Sequence, residues 1–343
     1  MRVAIFGAGA MGTVLGAFLT EGGAAVDLIS RNRAHIENMK QRGATVKCVA
    51  DGIEKNIPVS ALYPDEMSGE YDVIFLMTKQ SKNPETAAFL CPFLAKDGIV
   101  CTTQNGLPEP SIAQVLGAER TYGAAVSFGA NFLGNGVVEL TSKLSSMSML
   151  CGGYQNDQTK NERLKTVLQA VCAVCGNPDF VKTTDNLLGA RWSKLAINAA
   201  FSTLSTITGL TFGQVARRFK TKRLAVRILQ ETIAVAKAHG VSLQPMGGHD
   251  IEKVFSGNGF VKKAFIYTAL PYAIRKHKRL KSGMLTDIER GRKCDVDYVC
   301  GAVVAAGKAV GVETPTAEMA VEIVHGIENG LYEITPKNVD FML

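Results

Sequence analysis

The 343-residue sequence has no uninterrupted apolar run near the ~20 residues that a membrane-spanning helix requires. Its N-terminus also lacks the apolar core of a signal peptide, because glycines begin at Gly7. The charged fraction of 20% and the hydrophobic fraction of 46% are typical of globular proteins. These features predict a cytoplasmic protein with no membrane partner, and the length predicts about two domains.

Clusters that bind metals or form disulfide frameworks are also lacking. The five histidines are dispersed and form no HExxH motif, so we predict no metal site. The eight cysteines are scattered along the chain, which favours reduced and mostly buried thiols. Cys172 and Cys175 have CxxC spacing, but no second cysteine pair or nearby histidine accompanies them. A structural role in the core is therefore favoured over a redox or metal role.

Basic charge is in modest excess, with a formal net charge of +7. The densest patch is Arg275-Lys276-His277-Lys278-Arg279, with Lys281 beyond it. A solvated basic face is the favoured interpretation, because nucleic-acid binding would require interleaved aromatic residues or a recognised fold. Attraction of an anionic cofactor and an anionic substrate is the alternative. We therefore predict a small-molecule partner and no nucleic acid.

The most informative segment is the first twelve residues. An apolar run at residues 3–6 leads into Gly7-Ala8-Gly9-Ala10-Met11-Gly12, and residues 13–19 continue in helical composition. In such a turn Gly7 permits a tight bend, Gly9 lets a pyrophosphate approach the backbone, and Gly12 lets the helix pack closely on the strand. The helix N-terminus, with Ala10 and Met11, supplies N–H groups to the phosphates. The segment predicts dinucleotide binding, with a purely structural strand–helix turn as the alternative.

Short apolar runs alternate with helical stretches over the first half of the chain, which predicts a doubly wound α/β domain of Rossmann type. From about residue 185 long helical stretches replace the strands, which predicts an all-helical second domain. We assign residues 1–184 to NADP binding and residues 185–343 to substrate binding. Two runs, 137–141 and 147–151, are expected as an antiparallel addition to the sheet. The other predicted strands are Ala25–Ile29, 73–77, 99–102, Thr121–Val126 and 180–181.

The end of the second predicted strand indicates which dinucleotide binds. An acidic residue at that tip would accept hydrogen bonds from the adenosine ribose. Here the strand ends in Ser30-Arg31-Asn32-Arg33, and Asp27 lies within the strand. Guanidinium groups form charge-assisted hydrogen bonds with phosphate oxygens, so we predict NADP(H) rather than NAD(H). The alternative is that Arg31 and Arg33 only begin a solvated helix.

A second signal lies in the apolar helical segment 191–202. Lys194, Asn198 and Ser202 recur at a spacing of four, which places them on one helix face. A buried lysine is costly unless it is paired or hydrated, so a polar stripe on such a helix usually lines a site. A lysine that reaches solvent through its flexible side chain is the alternative.

Several further motifs follow the glycine motif in a fixed order. Together they resemble the ketopantoate reductase (2-dehydropantoate 2-reductase) family over essentially the whole chain. The motifs are Met77-Thr78-Lys79, Thr103-Gln104-Asn105-Gly106, Lys194-Leu195-Ala196-Ile197-Asn198, Ser282-Gly283-Met284-Leu285-Thr286-Asp287-Ile288 and Gly291-Arg292-Lys293-Cys294-Asp295-Val296-Asp297-Tyr298.

The resemblance implies roles for particular residues. The pair that binds the NADP 2′-phosphate would be Arg31 and Lys79, and the asparagine beside the nicotinamide would be Asn105. The catalytic lysine would be Lys194, and Asn198 would bind substrate one turn later.

Three positions depart from the family's pattern, and all three contact substrate in the family. A second asparagine on the helix face is Ser202 here, and a serine before Met-Leu is Gly283, with Ser282 beside it. A glutamate is Asp295, which is one methylene shorter. We include Ser202, Ser282 and Asp295 among the predicted substrate-binding residues.

The implied activity is NADPH-dependent reduction of a 2-oxo acid to a D-2-hydroxy acid. The first expected substrate is 2-dehydropantoate, reduced to (R)-pantoate for pantothenate biosynthesis, and a branched-chain or aromatic 2-oxo acid is the alternative. Lys194 would act as the acid, while Asp295 would accept a substrate hydrogen bond or keep Lys194 charged. A non-catalytic NADP(H)-binding sensor is an alternative of another class. A homodimer is an open alternative to a monomer.

Overall fold

The computed structural model describes residues 1–245, 250–255, 257 and 259–343. Contacts between Cα atoms divide the chain into two compact units. The first unit consists of Met1–Gln104 and Pro108–Leu187, and the second consists of Asn105–Leu107 and Leu188–Leu343. The assignment of residues 1–184 to cofactor binding and of residues 185–343 to substrate binding stays a prediction.

The first unit combines strands and helices. Its strands are β1 (Arg2–Phe6), β2 (Ala25–Ile29), β3 (Ala44–Cys48), β4 (Ile53–Ile57), β5 (Ser60–Leu62), β6 (Tyr71–Leu76), β7 (Leu94–Thr102), β8 (Thr121–Val126), β9 (Ala130–Gly134), β10 (Val137–Leu140), β11 (Met149–Gly153) and β12 (Val181–Thr183). Its α-helices are α1 (Ala10–Glu21), α2 (Arg33–Arg42), α3 (Asn83–Leu90), α4 (Glu109–Leu116) and α5 (Asn161–Cys175).

An eight-stranded sheet forms the centre of this unit, in the order β12-β11-β8-β7-β6-β1-β2-β5. The strands from β8 to β5 in this order pair in parallel, and β11 pairs antiparallel to β8. Val3 and Ile5 belong to a core with α1, α2 and α5, whereas Ala4 and Phe6 belong to a core with α3 and α4. Helices therefore cover both faces, which is why the central strands are apolar throughout. The predicted doubly wound α/β fold is confirmed.

A second, four-stranded sheet was not predicted, and it corrects one expectation. Its order is β4-β3-β10-β9. The run 147–151 does join the large sheet antiparallel to β8, as β11, but the run 137–141 forms β10 of the small sheet. The prediction that both runs form one antiparallel addition is therefore wrong. The edge strands β4 and β9 are largely exposed, so they lack the apolar alternation by which a strand is recognised.

The described residues of the second unit form helices and no strands, as predicted. A π-helical turn, Asn198–Ser202, separates the first two of its α-helices. None of the helices in the described ranges combines the length and apolar composition that crossing a membrane requires. The α-helices are α6 (Leu187–Ile197), α7 (Thr203–Thr208), α8 (Phe212–Arg217), α9 (Phe219–Ala238), α10 (Ile251–Phe255), α11 (Phe260–Ala273), α12 (Gly283–Glu289), α13 (Val296–Val310) and α14 (Pro315–Glu328).

Candidate functional site

The glycine turn joins β1 to α1, and its first glycine is required by the backbone. Gly7 has φ of +109°, in the region that side chains rarely adopt. A Cβ atom at this position would lie 2.7 Å from the carbonyl carbon of Met77 and 2.7 Å from the nitrogen of Thr78. Only glycine therefore allows the turn to lie against the end of β6.

The other two glycines of the motif serve different purposes. A Cβ at Gly12 would lie 2.4 Å from the carbonyl oxygen of Gly7 and 3.0 Å from Cγ2 of Ile5, so this glycine permits close packing of α1 on β1. Gly9, the N-cap residue of α1, is exposed, and a Cβ there would meet nothing within 4 Å. The open space in front of Gly9 suits the approach of a ligand to the backbone.

The first turn of α1 is also suited to an anion. Ala10 and Met11 are half-buried, and their N–H groups precede the first intrahelical hydrogen bond, from the Thr13 nitrogen to the Gly9 oxygen at 2.9 Å. The first turn contains no acidic residue, so no side chain neutralises the positive end of the helix dipole. Free N–H groups, the dipole and the open backbone together fit a pyrophosphate.

Backbone hydrogen bonds hold the loops at the carboxyl edge of the sheet together. The Gly7 and Ala8 nitrogens donate to the Ile29 oxygen, at 3.0 and 2.8 Å. The Met77 nitrogen donates to the Phe6 oxygen at 2.8 Å. The loops that follow β1, β2 and β6 therefore meet at one edge, and the last two carry Arg31 and Lys79, both exposed. In open α/β sheets this edge is where ligands bind.

Arg31 is exposed and available to a phosphate, whereas the carboxylate of the nearby Asp27 is already hydrogen-bonded. Among the described residues, Arg31 has no ion pair or side-chain hydrogen bond. The Asp27 carboxylate accepts hydrogen bonds from Arg2 at 2.7 Å, from Tyr71 at 2.8 Å and from Ser60 at 2.6 Å. The Asp27 carboxylate is therefore already bonded to side chains of the sheet, as the position of Asp27 within β2 predicts.

His35 fixes the start of α2 beside Arg31. Its Nδ1 atom accepts from the Gly136 nitrogen at 2.9 Å, so Nε2 carries the proton and donates to the Thr13 hydroxyl, also at 2.9 Å. Burial lowers the pKa of His35 from 6.5 to about 4, which keeps the ring neutral near pH 7. The Asn32 side chain caps α2 by accepting from the His35 nitrogen. Arg31 thus projects from an anchored loop.

Two buried amides, to which the sequence assigned no role, fasten the loops after β6 and β7. Asn83 and Gln104 exchange hydrogen bonds at 3.0 and 2.8 Å. The Gln104 Nε2 atom also donates to the Thr78 oxygen at 2.7 Å, and its Oε1 atom accepts from Thr102 at 2.9 Å. Gln104 directly precedes Asn105, which is a predicted site residue. This position in the sequence could have pointed to a role for Gln104 in the site.

In the second unit, a half-buried stripe crosses an otherwise buried stretch. Of the nineteen residues from 190 to 208, all are buried except Lys194, Ile197, Asn198 and Ser202. The three polar residues predicted for this site are thus among the four that retain access to solvent. The structure places them along one partly open side of the segment.

The segment that contains Lys194, Asn198 and Ser202 is not the continuous α-helix that their spacing of four predicts. Asn198–Ser202 is a π-helical turn, in which hydrogen bonds span five residues instead of four. The expectation of a continuous α-helix over 191–202 is therefore wrong, because the extra residue in this turn rotates Ser202 relative to an α-helical position. Such turns occur frequently at functional sites.

Lys194 is the titratable residue of this stripe, and its pKa is strongly shifted. Burial lowers its pKa from 10.5 to about 7, and the positive charge of the buried Arg191 contributes to the shift. An amine that titrates near neutral pH can both hold and release a proton under working conditions, as a general acid must.

The remaining predicted residues lie at helix starts and in one loop. Asp295 is half-buried at the N-cap of α13, which packs against the π-helical turn. Ser282 is buried, and its hydroxyl caps α12 by accepting from the Met284 nitrogen at 3.1 Å. Asn105 is exposed in the short segment that clusters with the second unit. Roles for all of these residues in substrate or cofactor binding stay predictions.

The cysteines and the basic patch, which the sequence predicts to be structural or solvated, lie as follows in the structure. None of the eight cysteines, all of which are described, forms a disulfide, and the Cys175 thiol donates to the Cys172 carbonyl at 3.7 Å within α5. Arg275, Lys278 and Arg279 are exposed, and the side chain of Lys276 lies outside those described. Within the described ranges, no group of three His, Cys, Asp or Glu residues is arranged to hold a metal.

An α/β unit with an open glycine turn, followed by a helical unit with a half-buried lysine, is the arrangement expected of a nicotinamide-dependent reductase. Two family models match the chain. "Ketopantoate reductase PanE/ApbA" matches residues 3–149, and "Ketopantoate reductase PanE/ApbA C terminal" matches residues 186–328. The chain belongs to the ketopantoate reductase family.

Named relatives and solved structures agree with this assignment. A 2-dehydropantoate 2-reductase from Mesorhizobium japonicum is 26% identical, over 97% of this chain and 100% of that protein. The structure of a PanE/ApbA family ketopantoate reductase from Ralstonia eutropha has a TM-score of 0.79 at 25% identity, over 96% of this chain and 99% of that one. A D-mandelate dehydrogenase with NADH and anilino(oxo)acetate has a TM-score of 0.79 at 24% identity, over 96% and 99% of the two chains, which shows a shared fold.

Three predictions are therefore confirmed: the family, the fold class, and an oxidoreductase that uses a nicotinamide cofactor. The family is NADPH-dependent.

The different roles of the glycines lead to a first prediction. Gly9→Ala should fold normally, because its methyl group enters open space, but should weaken NADPH binding by about tenfold or more, because that space is needed by the pyrophosphate. Gly12→Ala should instead destabilise the fold by about 2 kcal/mol through overpacking. Fluorescence titration with NADPH and thermal unfolding measure the two effects. Wild-type affinity in Gly9→Ala would show that no phosphate contacts this turn.

A second prediction concerns the choice of cofactor. Arg31→Ala should weaken NADPH binding by about tenfold to a hundredfold, because a charge-assisted hydrogen bond to the 2′-phosphate is lost. NADH, which lacks this phosphate, should bind within about twofold of wild type. Arg33→Ala is the matched control and should have a smaller effect, since its guanidinium lies over the Tyr63 ring at 5.7 Å. An equal loss for both cofactors would overturn the role of Arg31.

Proposed function

We propose that this protein reduces a 2-oxo acid to a D-2-hydroxy acid with NADPH, and that its substrate is 2-dehydropantoate, which yields (R)-pantoate. The observation that carries the proposal is Lys194, half-buried among buried neighbours, with a pKa of about 7. The family of the chain and its relatives named 2-dehydropantoate 2-reductase support the substrate. A cytoplasmic location stays a prediction from the sequence, and a homodimer stays an open alternative to a monomer.

The first unit would hold the cofactor through several contacts. The N–H groups of Ala10 and Met11 would donate to the pyrophosphate beside Gly9, and Arg31 and Lys79 would bind the 2′-phosphate. Bound NADPH supplies the hydride that reduces the carbonyl carbon. The structure favours NADPH over NADH, because Arg31 is exposed and the Asp27 carboxylate is occupied.

Lys194 would supply the proton. As an ammonium it would donate a hydrogen bond to the keto oxygen, stabilise the negative charge that develops there, and transfer its proton. The lowered pKa makes the proton easy to release, and an anionic substrate would help to keep the amine charged until reaction. Among the side chains of the half-buried stripe, Lys194 is the one that can provide this acid at neutral pH.

The neighbouring polar groups would orient the reactants. Asn198 and Ser202 share the half-buried stripe with Lys194, and Asn105 would lie beside the nicotinamide as the family resemblance implies. Asp295 would accept a hydrogen bond from a substrate hydroxyl, or keep Lys194 charged. Ser282 remains a proposed substrate residue, although its hydroxyl already caps α12.

A different 2-oxo acid is the second candidate substrate. Ser202, Gly283 and Asp295 are each smaller than the residue expected from the family, and a Cβ at Gly283 would meet nothing within 4 Å. Three smaller side chains leave room for a bulkier substrate, such as an aromatic 2-oxo acid. The fold itself is shared with a D-mandelate dehydrogenase, which supports this alternative at the level of architecture.

The proposed acid leads to a third prediction. Lys194→Ala should lower kcat by about 10²–10⁴-fold with NADPH affinity nearly unchanged, because the lost group acts on the substrate. In the wild type, kcat/KM for reduction should fall as pH rises through about 7, since the ammonium form disappears there. Oxidation of the hydroxy acid should rise through the same pH. Steady-state assays at several pH values measure both directions.

Lys194→Arg is the matched variant. It keeps the positive charge but cannot release a proton near neutral pH, so its activity should be low without the decline near pH 7. A wild-type profile that is flat from acidic to alkaline pH, or an active alanine variant, would remove Lys194 from the chemistry.

A fourth prediction distinguishes the substrates. With NADPH, kcat/KM should be highest for 2-dehydropantoate among a panel that includes 2-oxoisovalerate and phenylglyoxylate, as followed by NADPH absorbance. Ser202→Asn and Gly283→Ser, which restore the expected family residues, should further reduce activity with phenylglyoxylate by about tenfold, because they narrow the site. A wild-type preference for phenylglyoxylate would support the aromatic alternative, and tight NADPH binding with no turnover of any compound would support a sensor.

A further inference from the structure

Glu328 occupies an unfavourable position for a carboxylate. It is the last residue of α14, where the negative end of the helix dipole repels an anion. Its Oε1 atom accepts a hydrogen bond from the backbone nitrogen of Cys294 at 2.7 Å, and the side chain is half-buried. A short bond to an N–H group outside the helix offsets the unfavourable dipole. The hydrogen bond to the Cys294 nitrogen is therefore the interaction that favours a glutamate at this helix end.

The thiol of Cys294 stays protonated beside this contact. Burial raises the pKa of Cys294 to about 12, and the neighbouring Glu328 carboxylate adds to this shift. The thiol therefore places no second negative charge near Glu328. The carboxylate holds residue 294 through its main chain, by the hydrogen bond from the Cys294 nitrogen.

Asp295, the next residue, occupies the N-cap position of α13, but its carboxylate accepts no capping hydrogen bond from the first turn of that helix. Two residues further on, Asp297 contacts His325 of α14, with Oδ1 and Nε2 3.0 Å apart. Contacts to the last turn of α14 therefore flank Asp295 on both sides.

We propose that Glu328 is a positioning residue, which directs the carboxylate of Asp295 toward the substrate by fixing the backbone of Cys294. The inference rests on the proposed function, in which Asp295 interacts with the 2-oxo acid. Glu328 itself touches neither substrate nor cofactor in this role. Its loss should therefore change substrate affinity and leave cofactor affinity as it is.

The test begins with three variants on α14, assayed with NADPH and 2-dehydropantoate, or with phenylglyoxylate if the panel prefers it. Glu328→Ala should raise KM for the 2-oxo acid by about tenfold, the size of one hydrogen-bonded contact, with NADPH affinity unchanged. Glu328→Gln keeps an acceptor oxygen for the Cys294 nitrogen and should restore KM to within about threefold of wild type. Glu322→Ala, an exposed glutamate on the same helix, is the control and should behave as wild type.

A double-mutant cycle with Asp295→Ala separates the proposals. If Glu328 acts through Asp295, Glu328→Ala should change KM by less than about twofold in the Asp295→Ala background. A tenfold effect in both backgrounds, an unchanged KM in Glu328→Ala, or failure of Gln to rescue would overturn the inference. If Asp295→Ala alone leaves KM unchanged, the substrate role of Asp295 in the proposed function is wrong instead. Thermal unfolding of each variant identifies a loss that is purely structural.

Discussion

The desolvation of one ammonium group, that of Lys194, is the physical constraint on which the proposed chemistry depends. Burial among apolar residues destabilises the charged form of the amine, and the pKa of Lys194 therefore falls to about 7. The buried Arg191 increases the effect. The surrounding segment excludes water everywhere except along the stripe that contains Lys194, Asn198 and Ser202. A group tuned in this way is suited to proton transfer and contributes little to stability.

The first unit is built differently, because it presents backbone N–H groups to a highly charged ligand. The glycine turn does this by leaving the backbone at Gly9 open while Gly7 and Gly12 bring strand, turn and helix into close contact. The amide pair of Asn83 and Gln104 then fastens the neighbouring loops by hydrogen bonds that are shielded from water. Because these groups are buried and satisfied, the loops at this edge are held in place before any ligand arrives.

Patterns with strong local signals were predicted well, and those without them were missed. The central strands are apolar on both faces, so the parallel sheet was evident from runs such as β6. The small sheet was missed because β4 and β9 are exposed edge strands with few buried side chains. The π-helical turn at Asn198–Ser202 was also missed, since the residue pattern of one such turn hardly differs from that of an α-helix.

By itself, the sequence determined the family, the fold class and the chemical groups available for catalysis, because motifs and periodicity are local properties of the chain. Tertiary structure alone decided which groups are accessible and how they titrate. The lowered pKa of Lys194 depends on the packing around its helix, and the contact of Glu328 with Cys294 joins residues 34 positions apart. Burial and hydrogen bonding between distant residues arise only when the chain has folded, so no local pattern contains them.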